Sequence, residues 1–229
     1  MLFLTRIRVS FREEAARRFV DSYAWHQAIW GAFPAPPGEK RNFLLRIDRR
    51  GAQFEVLVLS HKPPQIQPWG RWETRQIPNS FFQFERYAFS LRANPTQMRV
   101  KRLADGSRRK NGFRTGIFQP DELYGWITRK LQAAGCQLES VSFDPPVREH
   151  FRRKGCRGTH LRVDFRGIFR VQDRVAFQQA VANGIGRARA FGFGMLLLQP
   201  LPESNCRSPA SADSSLIDCD QESAVSSEG

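Results

Sequence analysis

Tyr23 and His26 stand three residues apart in the segment YAWHQAIWGAFP. On a helix, side chains at that spacing share a face, so the phenol and the imidazole can meet at their polar tips. An imidazole titrates near neutrality and can take or give a proton, and a neighbouring phenol can orient it. The pair therefore suits general acid/base work. Phe19, Tyr23, His26, Trp30 and Phe33 follow one another at spacings of 4, 3, 4 and 3, an aromatic stripe edged by Val20 and Ile29. The same stripe would serve equally as the buried face of a helix, with the histidine satisfied by a backbone carbonyl. His61, His150 and His160 fall on or next to expected hairpins, with no sequential partner.

A second constellation is basic. Residues 148–170 hold Arg148, Arg152, Arg153, Lys154, Arg157, Arg162, Arg166 and Arg170, with only Glu149 and Asp164 as acids. Within the expected strand, Leu161, Val163, Phe165, Phe169 and Val171 take one face and Arg162, Arg166 and Arg170 the other. That is a core face backed by a ladder of guanidiniums, which is either a contact for a polyanion or a solvated strand face. The preceding 148–157 stretch, with Gly155 and Gly158 nearby, reads as a basic hairpin. Arg99 to Arg114 forms a further basic segment around the Asp105-Gly106 turn.

A third feature is the run from Gly184 to Gly194, with Gly184, Gly186, Gly192 and Gly194 enclosing Arg187 and Arg189. Arg189 stands where a dinucleotide fingerprint would need glycine, and the run leads from helix to strand, not strand to helix. It reads as backbone N–H groups able to approach a phosphate, with two cations among them. No cofactor is expected. Cys156 and His160 have C-x₃-H spacing but no second close pair, so no metal centre is expected either.

The 229 residues carry a formal charge of +14. Residues 203–229 hold one basic and six acidic residues, so that tail is −5 and the body is +19. A compact body with such an excess points to nucleic acid as partner. The tail, rich in Ser and small residues, reads as disordered. Four cysteines at 136, 156, 206 and 219, with no CxxC pair, fit a reducing cytoplasm. No apolar run approaches transmembrane length, and the N-terminus lacks signal-peptide features.

These groups must be positioned by regular elements. The chain divides near residue 80, into 1–80, 81–202 and the tail. The first part reads as a strand at Phe3–Val9, one helix from Glu13 to Phe33, a hairpin of Asn42–Ile47 with Phe54–Leu59, and a weak closing strand at Trp72–Ile77. The second reads as a strand at Phe81–Leu91, a helix from Pro120 to about Ala134 closed by Gly135, strands at Gln137–Phe143 and Leu161–Val171, a helix capped by Asp173, and a strand at Phe193–Leu198. The expected fold is α+β: two tandem ferredoxin-like (RRM-like) βαββαβ units with antiparallel sheets.

The segment GIGRARAFGFGMLLLQPL resembles the C-terminal glycine-rich signature of the CRISPR-associated RAMP superfamily. Taken with YAWHQAIWGAFP (23–34), RNFLLR (41–46) and LRANPTQ (91–97), it is most similar to the CasE family, the pre-crRNA endoribonucleases of type I-E systems. WITRKL (126–131) and FRGIFRV (165–171) match more loosely. The resemblance spans residues 1 to about 202. Arg189 stands where the family commonly has Lys, and Arg187 where it often has Pro. The resemblance implies cleavage of the CRISPR repeat transcript on the 3′ side of its stem-loop, without a metal, leaving a 2′,3′-cyclic phosphate and a 5′-hydroxyl. It further implies that the product stem-loop stays bound and that the protein is a Cascade subunit. Tyr23 and His26 match the catalytic positions, and Arg41 is a further candidate cation. A non-catalytic stem-loop-binding subunit would show the same basic ladder and glycine run, and an unrelated RRM-like protein is a third reading.

Overall fold

The computed structural model describes residues 1–34, 43–100, 112–153 and 156–202. Lys154, Arg41 and the 203–229 tail lie outside the described residues.

In β1 (Phe3–Ser10), Thr5, Ile7 and Val9 are buried while the residues between them are not. That period of two makes a strand with one core face. The expected single helix from Glu13 to Phe33 is instead two helices, α1 (Phe11–Arg17) and α2 (Ser22–Trp30). Ser10 caps the first by accepting from the Glu13 N–H at 3.2 Å. Arg18 ends it in the left-handed conformation, φ 54°. Asp21 then starts the second, its carboxylate accepting from the N–H groups of Tyr23 and Ala24 at 3.0 and 2.9 Å. The break splits the aromatic stripe. Phe19, between the helices, turns into the core against Trp25 and Trp69, with ring centroids at 4.5 and 5.2 Å.

Strands β2 (Phe43–Arg50) and β3 (Gln53–Ser60) pair as a hairpin across Gly51, whose φ of 56° suits a two-residue turn. With β4 (Arg71–Gln76) they form an antiparallel sheet of order β2-β3-β1-β4. No helix forms in residues 61–70, where a ferredoxin-like unit has its second one.

The second sheet repeats the order. It is built from β5 (Arg86–Ala93), β8 (Cys136–Phe143), β10 (Cys156–Val171) and β11 (Leu196–Leu201), arranged β11-β5-β10-β8. A 3-10 turn at Asn79–Phe82 replaces the expected start of β5. A small hairpin, β6 (Thr96–Arg99) with β7 (Phe113–Gly116), precedes α3 (Pro120–Gln132). β9 (Val147–Arg153) pairs with the first half of β10, forming the expected basic hairpin. α4 (Arg174–Asn183) is capped by Asp173, as expected. Leu44 and Leu59, on the face of the first sheet away from α2, share one apolar cluster with Phe165, Phe177 and Val181 of the second half. The two sheets are thus joined through a common core. No helix among the described residues is long and apolar enough to cross a membrane.

Candidate active site and nucleic-acid interface

Within α2, Trp25 and Ile29 point into the core and are buried. Tyr23 and His26 lie to one side of that face and are half-buried. The His26 ring stacks on Phe43 of β2 at 5.3 Å and meets the edge of Trp30 at 5.3 Å. The Tyr23 ring stacks at 6.4 Å on Phe191. The two side chains therefore stand at a seam, between a strand of the first sheet and the glycine segment of the second half.

That segment follows α4. Gly184, Gly186, Gly192 and Gly194 all have positive φ, between 74° and 89°. A Cβ at Gly194 would come within 2.7 Å of the Ile185 carbonyl. The chain doubles back on itself: Ile185 N–H donates to Gly194 O, and Gly194 N–H to Arg92 O, each at 2.8 Å. The Gly184 and Phe191 N–H groups are also bonded internally. The expectation of a row of N–H groups open to a phosphate is corrected at these four positions. What the fold of the loop presents instead is Phe191, in a 3-10 turn at Arg189–Phe191. Arg187 and Arg189 are exposed, and the Arg189 guanidinium donates to the Asn183 carbonyl.

The basic strand keeps its alternation, but its arginines are paired. Arg162 donates to Glu149 at 2.7 Å and lies 3.2 Å from Asp164. Arg166 takes Asp144 in a two-pronged pair at 3.1 and 3.2 Å. Arg170 pairs with Glu85 at 2.7 Å and Glu139 at 3.6 Å. Each retains a large exposed fraction, 34, 59 and 45% of the side chain. The ladder is thus a set of ion pairs, with carboxylates from β8 and β9, from Asp144 and Glu85 at the ends of β8 and β5, and from Asp164 of β10 itself. On β9, Arg148 lies over the Phe118 ring at 5.4 Å. Arg152 and Arg153 register with Arg157 and Cys156 across the hairpin. By register, Arg148 and Arg157 take the face opposite Arg162. The hairpin and the ladder are therefore not one continuous surface.

Several residues at the seam were not singled out from the sequence. Arg92 of β5 donates to Ile47 O at 2.6 Å, to Asp48 at 2.9 Å and to Asp164 at 2.9 Å. Arg46 joins the cluster through Asp48 at 2.8 Å and Ser90 at 3.0 Å. Burial alone would depress the Arg92 guanidinium, yet Asp164 and then Asp48 outweigh it and hold the group above its usual value. His160 stacks on Phe151 at 4.4 Å and packs against Phe191 at 4.8 Å. Its Nδ1 faces the Asn94 amide at 3.2 Å, and burial pushes its pKa down against the opposing pull of Glu149. Alternation along β5 places Arg92 on the face away from the core, and the family-like segment LRANPTQ contains it. Its partners lie 44 and 72 residues away and could not be read locally. Arg92, Asp48, Asp21, Ser22, Glu149 and Phe191 border a cleft of about 560 Å³. Among the described residues, no group of three or more His, Cys, Asp or Glu is placed to hold a metal.

The family profile described as CRISPR associated protein matches residues 2–200. The Cascade subunit CasE of Escherichia coli strain K12 is 29% identical over 190 residues, covering 79% of this chain and 93% of that one. The CRISPR-associated endoribonuclease Cse3 of Thermus thermophilus is 28% identical over 220 residues, covering 87% of this chain and all of that one. The crystal structure of Cas6e from Escherichia coli K-12 superposes with a TM-score of 0.66 at 26% identity, covering 88% of this chain and all of that one. Two ferredoxin-like sheets in tandem, a Tyr/His helix at their seam and a glycine segment folded against it accompany the profile match over nearly the whole body. The chain belongs to the CRISPR associated protein family, and within it to the CasE type of type I-E systems.

Proposed function

We propose that this protein is the endoribonuclease that cuts CRISPR repeat RNA at its stem-loop, and that it remains on the product as a subunit of a Cascade complex. Two relatives support the reading by name, one a Cascade subunit and one a CRISPR-associated endoribonuclease. The observation that carries it is the placement of α2. Trp25 and Ile29 fill the core, leaving Tyr23 and His26 half-buried at the seam, Tyr23 against Phe191 of the glycine segment and His26 against Phe43 of β2. In this reading residues 1–80 carry the catalytic helix and residues 81–202 the basic strand and glycine segment, as two domains.

The chemistry needs little beyond these groups. The 2′-OH beside the scissile phosphate is the nucleophile, so the protein must hold the nucleotide with that oxygen in line with the leaving 5′-oxygen. The His26 imidazole takes the proton from the 2′-OH or delivers one to the 5′-oxygen, a contribution of about 10²–10⁴-fold. The Tyr23 phenol orients the phosphate or the imidazole. A 2′,3′-cyclic phosphate and a 5′-hydroxyl result, and no metal is needed. Stem phosphates are met by Arg148, Arg152, Arg153, Lys154 and Arg157 of the hairpin, and by Arg162, Arg166 and Arg170 once their carboxylates are displaced. Arg187 and Arg189, exposed in the glycine segment, meet further phosphates.

The test is single-turnover cleavage of the protein's own repeat RNA in excess EDTA, with analysis of the ends. Cleavage to a cyclic phosphate is expected, with no cleavage when the nucleotide before the cut carries a 2′-deoxyribose and a loss of at least ~10²-fold for His26→Ala. Cleavage of the deoxy substrate, or a strict Mg²⁺ requirement, refutes the intramolecular mechanism. Tight stem-loop binding without cleavage assigns the protein to the non-catalytic class.

A further inference from the structure

The proposed reaction requires α2, the glycine segment and the β9–β10 hairpin to meet one RNA at fixed distances, although they come from three separated parts of the chain. We infer that the end of β5, Arg92 with Asn94, is the positioning hub that sets those distances. The inference rests on the endoribonuclease reading above.

Three tethers start at Arg92. Its carbonyl accepts the Gly194 N–H at 2.8 Å and so anchors the glycine segment. Its guanidinium reaches Ile47 O and Asp48, near the end of β2. β2 is also the strand whose Phe43 ring lies against His26. Its Nε reaches Asp164 of β10. From Asp164 the chain of contacts runs to Arg162 at 3.2 Å and on to Glu149 of β9 at 2.7 Å. Asn94 adds two more. Its Oδ1 accepts the Leu161 N–H at 3.1 Å and its amide faces His160 Nδ1 at 3.2 Å. His160 packs on Phe191, and Phe191 stacks on Tyr23. Both candidate catalytic side chains are thus indexed to Arg92 and Asn94, one through β2 and one through the aromatic stack.

The side-chain type matters. A planar fork satisfies a carbonyl on one side and carboxylates on two others at once, and an ammonium cannot reproduce those directions. Asp164 and Arg46 keep only 7 and 8% of their side chains exposed. Removing the Arg92 charge would leave the acids around it underpaired, which endangers the fold itself. Arg92→Lys keeps the charge and loses the geometry. It therefore separates positioning from folding.

The experiment compares wild type, Arg92→Lys and Asp164→Asn in full-length protein. It measures stem-loop affinity, single-turnover cleavage at saturating repeat RNA, the pH profile of that rate, and backbone hydrogen exchange without RNA. For Arg92→Lys we expect affinity within about threefold and a rate at saturation lower by about 10- to 100-fold, the scale of an ångström-sized misplacement. The pH profile should keep its shape, since His26 is untouched. Exchange should quicken in residues 185–194 and 156–164 and not in β1 or β3. Asp164→Asn should give the same pattern, a second variant in case Lys at 92 folds poorly. A wild-type rate in both variants, or a loss recovered at saturating RNA, overturns the hub. Failure of wild type to cleave refutes the endoribonuclease reading instead. The exchange pattern then still decides whether β5 tethers the two segments, and exchange that rises everywhere or nowhere overturns it.

Discussion

If Arg166 meets RNA, it must first leave Asp144, so Asp144 acts as a competitor for the phosphate. The pair is two-pronged at 3.1 and 3.2 Å, with 59 and 52% of the two side chains exposed. An exposed pair of this kind is worth about 0.2–1 kcal/mol. At 1.4 kcal/mol per tenfold, abolishing it should tighten stem-loop binding by about 1.4- to 5-fold through Arg166 alone. Asp144→Asn keeps size and shape and makes that change. Arg166→Ala should act in the opposite sense and lower the slope of log affinity against log salt by about one unit or less. In the double variant the benefit of Asp144→Asn should vanish, because no released cation remains. Bulk charge is controlled by Asp121→Asn, an exposed acid at the start of α3, far in sequence from the ladder. The assay is equilibrium binding of the repeat stem-loop at several salt concentrations. If Asp144→Asn and Asp121→Asn tighten binding equally, or if the gain survives Arg166→Ala, net charge and not this contact is responsible, and the strand face is not the RNA surface.

Three further outcomes follow from packing and titration. His160 has a lowered pKa in the folded protein because burial disfavours its charged form, so the unfolded chain binds the extra proton first. Stability at pH above the ordinary histidine value of 6.5 should fall as pH drops through that value toward the lower folded one, a slope that His160→Phe should remove from denaturant titrations; an unchanged slope refutes the assignment. A Cβ on Gly167 would stand 2.0 Å from the Ser140 carbonyl, where β8 runs against β10, so Gly167→Ala should cost about 1–3 kcal/mol in chemical unfolding, and a silent substitution would contradict this packing. Burial pushes the Cys136 thiol up to about 12, so native protein should leave this residue unmodified by a thiol reagent at pH 8, read by peptide mass, whereas unfolded protein should react there.

What the sequence shows of this fold is what is encoded locally. α3 begins with Pro120 and closes before Gly135, and α4 begins after Asp173, because capping chemistry acts over three or four residues. β10 alternates as read, because its core face is set by Leu161, Val163, Phe165 and Phe169 in one register. The long first helix failed for an instructive reason. Aromatic spacing runs unbroken from Phe19 to Phe33, whereas the break depends on Arg18 turning left-handed and Asp21 capping a new start. Periodicity describes a face that a helix would have, and caps decide where helices are.

The ladder of arginines shows the complementary limit. Around Arg162, Arg166 and Arg170 the sequence has few acids, which suggests bare cations. In the folded sheet each arginine stands beside another strand, and Glu149, Glu139, Asp144 and Glu85 arrive from those strands or their ends. Sheet formation therefore changes the electrostatic meaning of a strand whose own sequence is unchanged. The same step creates the seam. Tyr23 and His26 are visible as a spaced pair, but their neighbours Phe43, from β2, and Phe191, from the glycine segment, meet them only in the fold. Such a pair is a short-range pattern. Its surroundings are a long-range one, and in this chain Arg92 of β5 bonds the glycine segment, β2 and β10 together.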